Sequence, residues 1–182
     1  GYMTDDGHLI YLERVKDLIK LRSGNRFSPQ FIEGRLKFSP YIQDIMTIGG
    51  EDKDFVSAII VIDFNNVARW AEKNAISFTT MVDLSQKQQV AALIKEDIER
   101  VNASLPDFSR LHRFVVLHKE FDADEGELTR TRKLKRGALA EKYHEIISAL
   151  YGGAERVQVR AQVKYRDGRE GVVETDLQVW DV

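Results

Sequence analysis

Hydrophobic and polar positions along this chain switch between a period near two and a period near 3.6, and each stretch predicts an element. Leu9-Ile10-Tyr11-Leu12 and Leu18-Ile19-Lys20-Leu21 are short β-prone runs joined by the charged segment Glu13-Arg14-Val15-Lys16-Asp17, the pattern of a small hairpin. Ser28-Pro29 opens a helix, because the Ser hydroxyl can accept an orphan amide and Pro at the first helical position gives up only a donor that lacks a partner. Phe31, Ile32 and Leu36 form its apolar stripe, and Ser39-Pro40 stops it, since the residue before Pro is pushed out of the helical region. Two strands are predicted next, Asp44 to Ile48 and Phe55 to Ile62, separated by Gly49-Gly50-Glu51-Asp52. The second is almost continuously apolar, which places it inside a sheet. Val67, Trp70 and Ala71 predict a short helix; Val90, Leu93, Ile94, Ile98, Val101 and Leu105 trace a longer one that Pro106 ends. Leu111 to Leu117 reads as a strand, and Leu139, Tyr143, Ile146, Ile147 and Leu150 as one last amphipathic helix closed by Gly152-Gly153.

Beyond that glycine pair, Val157, Val159, Ala161, Val163 and Tyr165 alternate with polar neighbours, Asp167-Gly168 supplies a turn, and Val173, Thr175, Leu177 and Val179 alternate again. This terminal hairpin is marginal alone, so it is expected to pack on the domain, on a missing domain or on another copy. The fold class is α+β: a small mixed or antiparallel sheet flanked by helices, with an N-terminal β-hairpin and an extra C-terminal β-hairpin.

The 182 residues are 43% hydrophobic and 31% charged, a globular composition. Lys plus Arg number 27 against 29 Asp plus Glu, so no global field recruits nucleic acid or an anionic membrane, and such binding would have to be local. The longest apolar run, Ala58 to Ile62, is far short of the roughly 20 residues that cross a bilayer, and the chain reads as cytoplasmic. Without Cys there is no disulfide, thiolate nucleophile or Cys-based zinc site. His8, His112, His118 and His144 lack metal-site spacing and read as structural or exposed. A start at Gly1 suggests a fragment of something longer.

Positive charge crowds into one place, Gly126-Glu127-Leu128-Thr129-Arg130-Thr131-Arg132-Lys133-Leu134-Lys135-Arg136. The bland reading is a solvated loop entering a helix. Cations at a helix N-terminus oppose the macrodipole by some tenths of a kcal/mol each, about the amount a partner anion would relieve. Phosphate is the natural candidate, in nucleic acid, a nucleotide or a phosphorylated substrate.

A second cluster runs Arg14-x-Lys16-Asp17-Leu18-Ile19-Lys20, then Ser23-Gly24, then Ser28-Pro29-x-x-Ile32-Glu33. It resembles the linker and opening hairpin of the C-terminal domain of AMP-forming acyl-CoA synthetases. Ser39-Pro40-Tyr41-Ile42 and Gly126-Glu127-Leu128-Thr129-x-Thr131-x-Lys133-Leu134-Lys135-Arg136 are similar to motifs of the long-chain fatty acid branch, and Gly1-Tyr2 through Asp6-Gly7 resembles the segment after the ribose-binding motif of the N-terminal domain. The resemblance covers about residues 1 to 151. It implies a mobile C-terminal domain over 1–153, with hinge and hairpin at 9–27 and a lysine loop at 126–136, and an appended β-hairpin at 154–182. The implied parent is a long-chain fatty acid–CoA ligase. ATP converts the acid to an acyl-adenylate with loss of pyrophosphate, and the CoA thiol then displaces AMP. The lid rotates between the two steps.

The resemblance implies roles residue by residue. Lys133 matches the adenylation lysine, Arg14 the arginine that contacts the nucleotide ribose, and Lys16, with Asp17, the hinge. Lys20 matches a position used in the second half-reaction, Gly24 the close approach to the pantetheine tunnel, and Arg26 is placed to reach a CoA phosphate. Arg132, Lys135 and Arg136 are expected as a phosphate-facing or domain-contact fringe. ATP and CoA are implied as substrates, with Mg2+ bound mainly by the absent N-terminal domain. That domain and the fatty acid are the implied partners, with no nucleic acid, with peripheral membrane association only through the parent, and with a dimer through the terminal hairpin open. Glu13, Arg130 and Asn25-Arg26-Phe27 depart from the family pattern, and loss of a Pro at position 130 is expected to loosen the lysine loop. The phosphate loop and acyl tunnel are absent, so the fragment alone is expected to be inactive. The rival reading is a non-catalytic polyanion- or RNA-binding or oligomerisation module using residues 130–136.

Overall fold

A computed structural model describes residues 2–3, 7, 9–10, 17–164 and 170–182. Its centre is β6 (Val56–Ile62), in which all seven residues are buried. Alternate side chains point to opposite faces of a strand, so Val56, Ala58, Ile60 and Ile62 enter one core while Ile59 and Val61 enter a second. Two apolar faces need two covering layers.

β6 pairs antiparallel with the edge strand β5 (Ile42–Ile48), Ile45 opposite Ile60, and parallel with β7 (Leu111–Val116), Ile60 opposite Val116. A parallel partner demands a crossover, here α2 (Phe64–Lys73), α3 (Met81–Ser85) and α4 (Gln88–Asn102). With α1 (Pro29–Leu36) they cover the first face; α5 (Arg136–Lys142) and α6 (His144–Tyr151) cover the second. Ser28 caps α1 by accepting from the Phe31 amide at 3.2 Å, and Asp63 caps α2 through the Asn66 amide at 2.9 Å. The five-residue α3, begun by Thr80, is too short to show a period in the sequence.

Two expectations are corrected and one is narrowed. The run Leu9–Leu12 does not form a hairpin with Leu18–Leu21 among the described residues. Instead β1 (Tyr2–Met3) pairs with β2 (Leu9–Ile10), and β3 (Ile19–Lys20) pairs with β4 (Arg26–Phe27). The tighter turn wins: the Leu21 amide donates to the Asn25 carbonyl at 2.8 Å, and Gly24 takes a φ of +87° that side chains resist. The last helix breaks at Tyr143, whose ring is buried and whose hydroxyl donates to Glu127 at 2.5 Å. The terminal hairpin, β8 (Arg156–Lys164) with β9 (Glu170–Asp181), takes the first of the three seats expected for it and packs on the domain. β9 lies beside β7 with Phe114 opposite Trp180, giving a five-stranded sheet in the order β5-β6-β7-β9-β8.

Arg113 on β7 locks that end. Its guanidinium donates to the Leu150 carbonyl at 3.0 Å, the Ala154 carbonyl at 2.9 Å and the Asp181 carboxylate at 2.8 Å, tying the last turn of α6, the linker and the end of β9 to one side chain. Replacing Arg113 by Ala leaves buried carbonyls without donors and is expected to destabilise the chain by about 2–4 kcal/mol, read as a lower urea midpoint at unchanged m-value. A variant within about 0.5 kcal/mol of wild type would show that the hairpin is held by apolar packing alone.

Candidate functional site

Two loops carry the residues singled out by the sequence. The first is the β3–β4 hairpin, whose Leu21 and Phe27 pack on the backbone of Gly49; a Cβ there would lie 2.6 Å from Phe27 Cε1. This close approach explains the glycine, which the sequence marked only as a turn. Arg22 fixes the hairpin from outside, donating to the Asp54 carboxylate at 2.7 Å and the Asp52 carbonyl at 2.5 Å. Lys20 pairs with Glu51 at 3.2 Å, an exposed contact. Gly24 stands at the exposed tip, and the exposed Arg26 makes no hydrogen bond or ion pair among the described residues. The structure thus brings Lys20, Gly24 and Arg26 onto one hairpin. Asp17 is exposed just before it, and Arg14 and Lys16 lie outside the described residues.

The second loop leaves β7 and enters α5. Leu128 bridges Leu134, the Thr129 amide donates to the Lys133 carbonyl at 2.8 Å, and the Lys133 amide donates to Thr129 Oγ1 at 3.0 Å. These bonds close a five-residue tip, with Arg132 in the left-handed region at φ +58°. The tip is tied by its own threonines. Lys133 is exposed, and its ammonium makes no hydrogen bond or ion pair among the described residues.

Its neighbours differ. Arg136 donates to Glu33 Oε1 at 2.5 Å, Glu33 Oε2 at 2.6 Å and the Thr47 carbonyl at 3.1 Å. Glu33, 7% exposed, also accepts from the Thr47 amide at 2.7 Å and hydroxyl at 2.9 Å. Burial pushes the Glu33 carboxyl above its usual range, against the pull of Arg136 and Thr47. Arg132 stands 3.8 Å from Asp44, a buried carboxylate that Lys37 meets at 2.6 Å. The anion that Arg136 meets here is the chain's own.

The other foot of the loop rests on Glu127, 1% exposed, which accepts from Tyr143, from Lys142 at 2.8 Å and from the Asp122 amide at 2.7 Å. Burial raises its carboxyl, yet these donors outweigh burial and the net shift is downward. Hydrogen bonds from Lys119 and Lys142 hold Glu125 down to about 2. Sequence reasoning missed Glu33, Asp44 and Glu127 as site residues; only the placement of Glu33 and Glu127 inside quoted motifs marked them. No group of three or more His, Asp or Glu side chains able to hold a metal occurs among the described residues. No described helix is long and apolar enough to cross a membrane.

The family model for the AMP-binding enzyme C-terminal domain matches residues 16–155. The chain belongs to that family. Like other members, this AMP-binding C-terminal domain has long-chain ligases among its relatives. It is 30% identical over 152 residues to the long-chain-fatty-acid–CoA ligase FadD15 of Mycobacterium tuberculosis, covering 83% of this chain and 25% of that protein. It is 30% identical over 154 residues to long-chain-fatty-acid–CoA ligase 1 of Cavia porcellus, covering 83% of this chain and 22% of the relative. Among solved structures it resembles the adenylation domain of a carboxylate reductase from Mycobacterium chelonae, with a TM-score of 0.62 at 26% identity over 82% of this chain and 24% of that one. The domain spans about a quarter of the length of the relatives it matches.

His118, at the end of β7 and 5% exposed, titrates at about 4 because burial and the nearby Lys119 disfavour its cation, against a weaker opposing pull from Glu127 and Glu125. The unfolded chain binds that proton near its ordinary 6.5. Stability from this group is therefore full above pH 6.5 and drains away as pH falls toward 4, by about 3 kcal/mol in all. Urea midpoints should fall between pH 7.5 and 4.5, and His118→Leu should flatten most of that fall; an equally steep profile in the variant would assign it elsewhere.

Proposed function

We propose that this domain is the mobile lid of an ATP-dependent, AMP-forming long-chain fatty acid–CoA ligase and that Lys133 is its adenylation lysine. The observation that carries this reading is one exposed ammonium at the tip of a tied loop, between two arginines already engaged by carboxylates of the chain. As ATP reacts with the fatty acid, negative charge builds on the carboxylate, the α-phosphate and the bridging oxygen to the departing pyrophosphate. A lysine delivered there only when the lid closes stabilises that charge more than it stabilises bound substrates.

In the second step the CoA thiol attacks the acyl carbon and AMP leaves. The β3–β4 hairpin then faces the reaction, with Gly24 beside the pantetheine arm and Arg26 toward a CoA phosphate. Lys20 must leave Glu51 to take part, and an exposed pair of this kind opposes release by no more than about 1 kcal/mol. Arg14 contacts the ribose, and the backbone at Lys16 and Asp17 turns between the two states. The β8–β9 hairpin moves with the lid because β9 belongs to its sheet. The carboxylate donors a Mg2+ ion would need are sought in the larger domain, since the described residues offer no cluster for it.

Ion pairing also bears on the rival. A polyanion site gains from cations that are free to meet phosphates, and Arg132 and Arg136 spend theirs on Asp44 and Glu33.

The isolated domain is expected to show no ATP-dependent CoA ligation. In the full-length protein, Lys133→Ala is expected to slow adenylate formation by about 100- to 1,000-fold, measured by pyrophosphate exchange, while thioester formation from supplied acyl-adenylate stays within a few-fold. Equal losses in the two half-reactions would remove this division of roles.

A further inference from the structure

The described loops are joined by more than the sheet. α1 begins one residue after β4, so the hairpin feeds directly into the helix that carries Glu33. Glu33 then reaches across the edge strand to Arg136, three residues beyond Lys133 and 103 positions from itself in sequence. Arg136 Nη2 meets both carboxylate oxygens, at 2.5 and 2.6 Å, and the Thr47 amide and hydroxyl also donate to Oε1.

A guanidinium held through Nη2 by both Glu33 oxygens and through Nη1 by the Thr47 carbonyl has little freedom to slide or rotate. Arg136 is the first residue of α5, so fixing it fixes where the loop enters the helix. The loop's other foot is held by Glu127, and the Leu128–Leu134 bridge makes the tip between them a short rigid span. Lys133 is attached to that span through its own amide and carbonyl.

We infer that Glu33 is a positioning residue for Lys133, acting through Arg136, and that the same contact couples the hairpin and the lysine loop into one body. This rests on reading Lys133 as the adenylation lysine. Glu33 touches no substrate. Its part is to fix the backbone from which a distant ammonium is delivered, and a misplacement of about 1 Å at the reacting atoms is enough to cost 100-fold.

The test uses the full-length protein with Glu33→Gln, which keeps the side chain's shape and loses its charge, and Arg136→Lys, which keeps the charge and loses the fork. Expected for Glu33→Gln is a fall of about 10- to 100-fold in the rate constant of pyrophosphate exchange, with KM for ATP and thioester formation from supplied acyl-adenylate each within about twofold. Arg136→Lys should fall between wild type and Glu33→Gln. Hydrogen exchange should show the Thr129, Arg132 and Lys133 amides losing protection while those of β6 keep it. A merely structural role would lower both half-reactions together and loosen β6 as well, and that result overturns the inference. So does unchanged pyrophosphate exchange in both variants while Lys133→Ala abolishes it. If Glu33→Gln does not fold, Arg136→Lys decides by the same readouts. Should Lys133→Ala itself leave adenylation intact, the functional reading fails first and the inference with it.

Discussion

Strand β6 has no face that water can reach, and that constraint shapes the rest. A strand apolar on both sides must be covered twice, so helices pack on both faces of its sheet, and its parallel pairing with β7 obliges the chain to cross over through α2, α3 and α4. The crossover leaves β5 at the sheet's edge. That edge is where α1 and the lysine loop meet, through Glu33, Thr47, Asp44, Arg132 and Arg136. The site is thus placed by hydrophobic burial at the centre and oriented by charge at the rim.

Charge at the rim was half legible in the sequence. Cations ahead of a helix oppose its dipole and call for an anion, and the reasoning that one must be present is sound. Phosphate was the natural guess because a substrate anion and a protein carboxylate answer the same electrostatic demand. Nothing in the local sequence distinguishes them: Glu33 lies 103 residues from Arg136 and becomes its neighbour only once β5 and α1 are in place. Lys133 was identifiable by resemblance of its surrounding motif, whereas the reason its neighbours are quiet required the fold.

Elements divided in the same way. Strands β5, β6 and β7 and helices α1, α2 and α4 follow periodicity and capping, because long apolar patterns and residues such as Ser28 act locally. The opening hairpins did not. Leu9–Leu12 and Leu18–Leu21 are equally β-prone, and pattern alone cannot say which strand each meets; the turn around Gly24 decides for β3. Likewise the alternation in residues 171–181 shows two faces and no partner, so the seat of β9 beside β7 was open among several packings. Tyr143 sits at helical spacing and still breaks the helix, since its hydroxyl bonds with the buried Glu127.

A basic loop thinned by its own carboxylates is a different instrument from a free basic patch. In a cluster of five free cations, repulsion would spread the side chains apart and raise the energy of bringing any one of them into a closed, poorly hydrated site. Pairing Arg136 with Glu33 and setting Arg132 against Asp44 removes two charges from that balance without removing the residues that shape the loop. Both carboxylates are buried; the Arg136–Glu33 pair is close and half-buried, so salt weakens it less than the looser, more exposed Arg132–Asp44 pair. Of the three that remain, Arg130, Lys133 and Lys135, Lys133 is the ammonium within the tied tip, flexible in its four-carbon stem and fixed at its backbone. On the proposed reading, a lid that serves one reaction step and then withdraws benefits from that combination. The backbone sets where the charge arrives, and the stem lets it follow the oxygen on which charge develops.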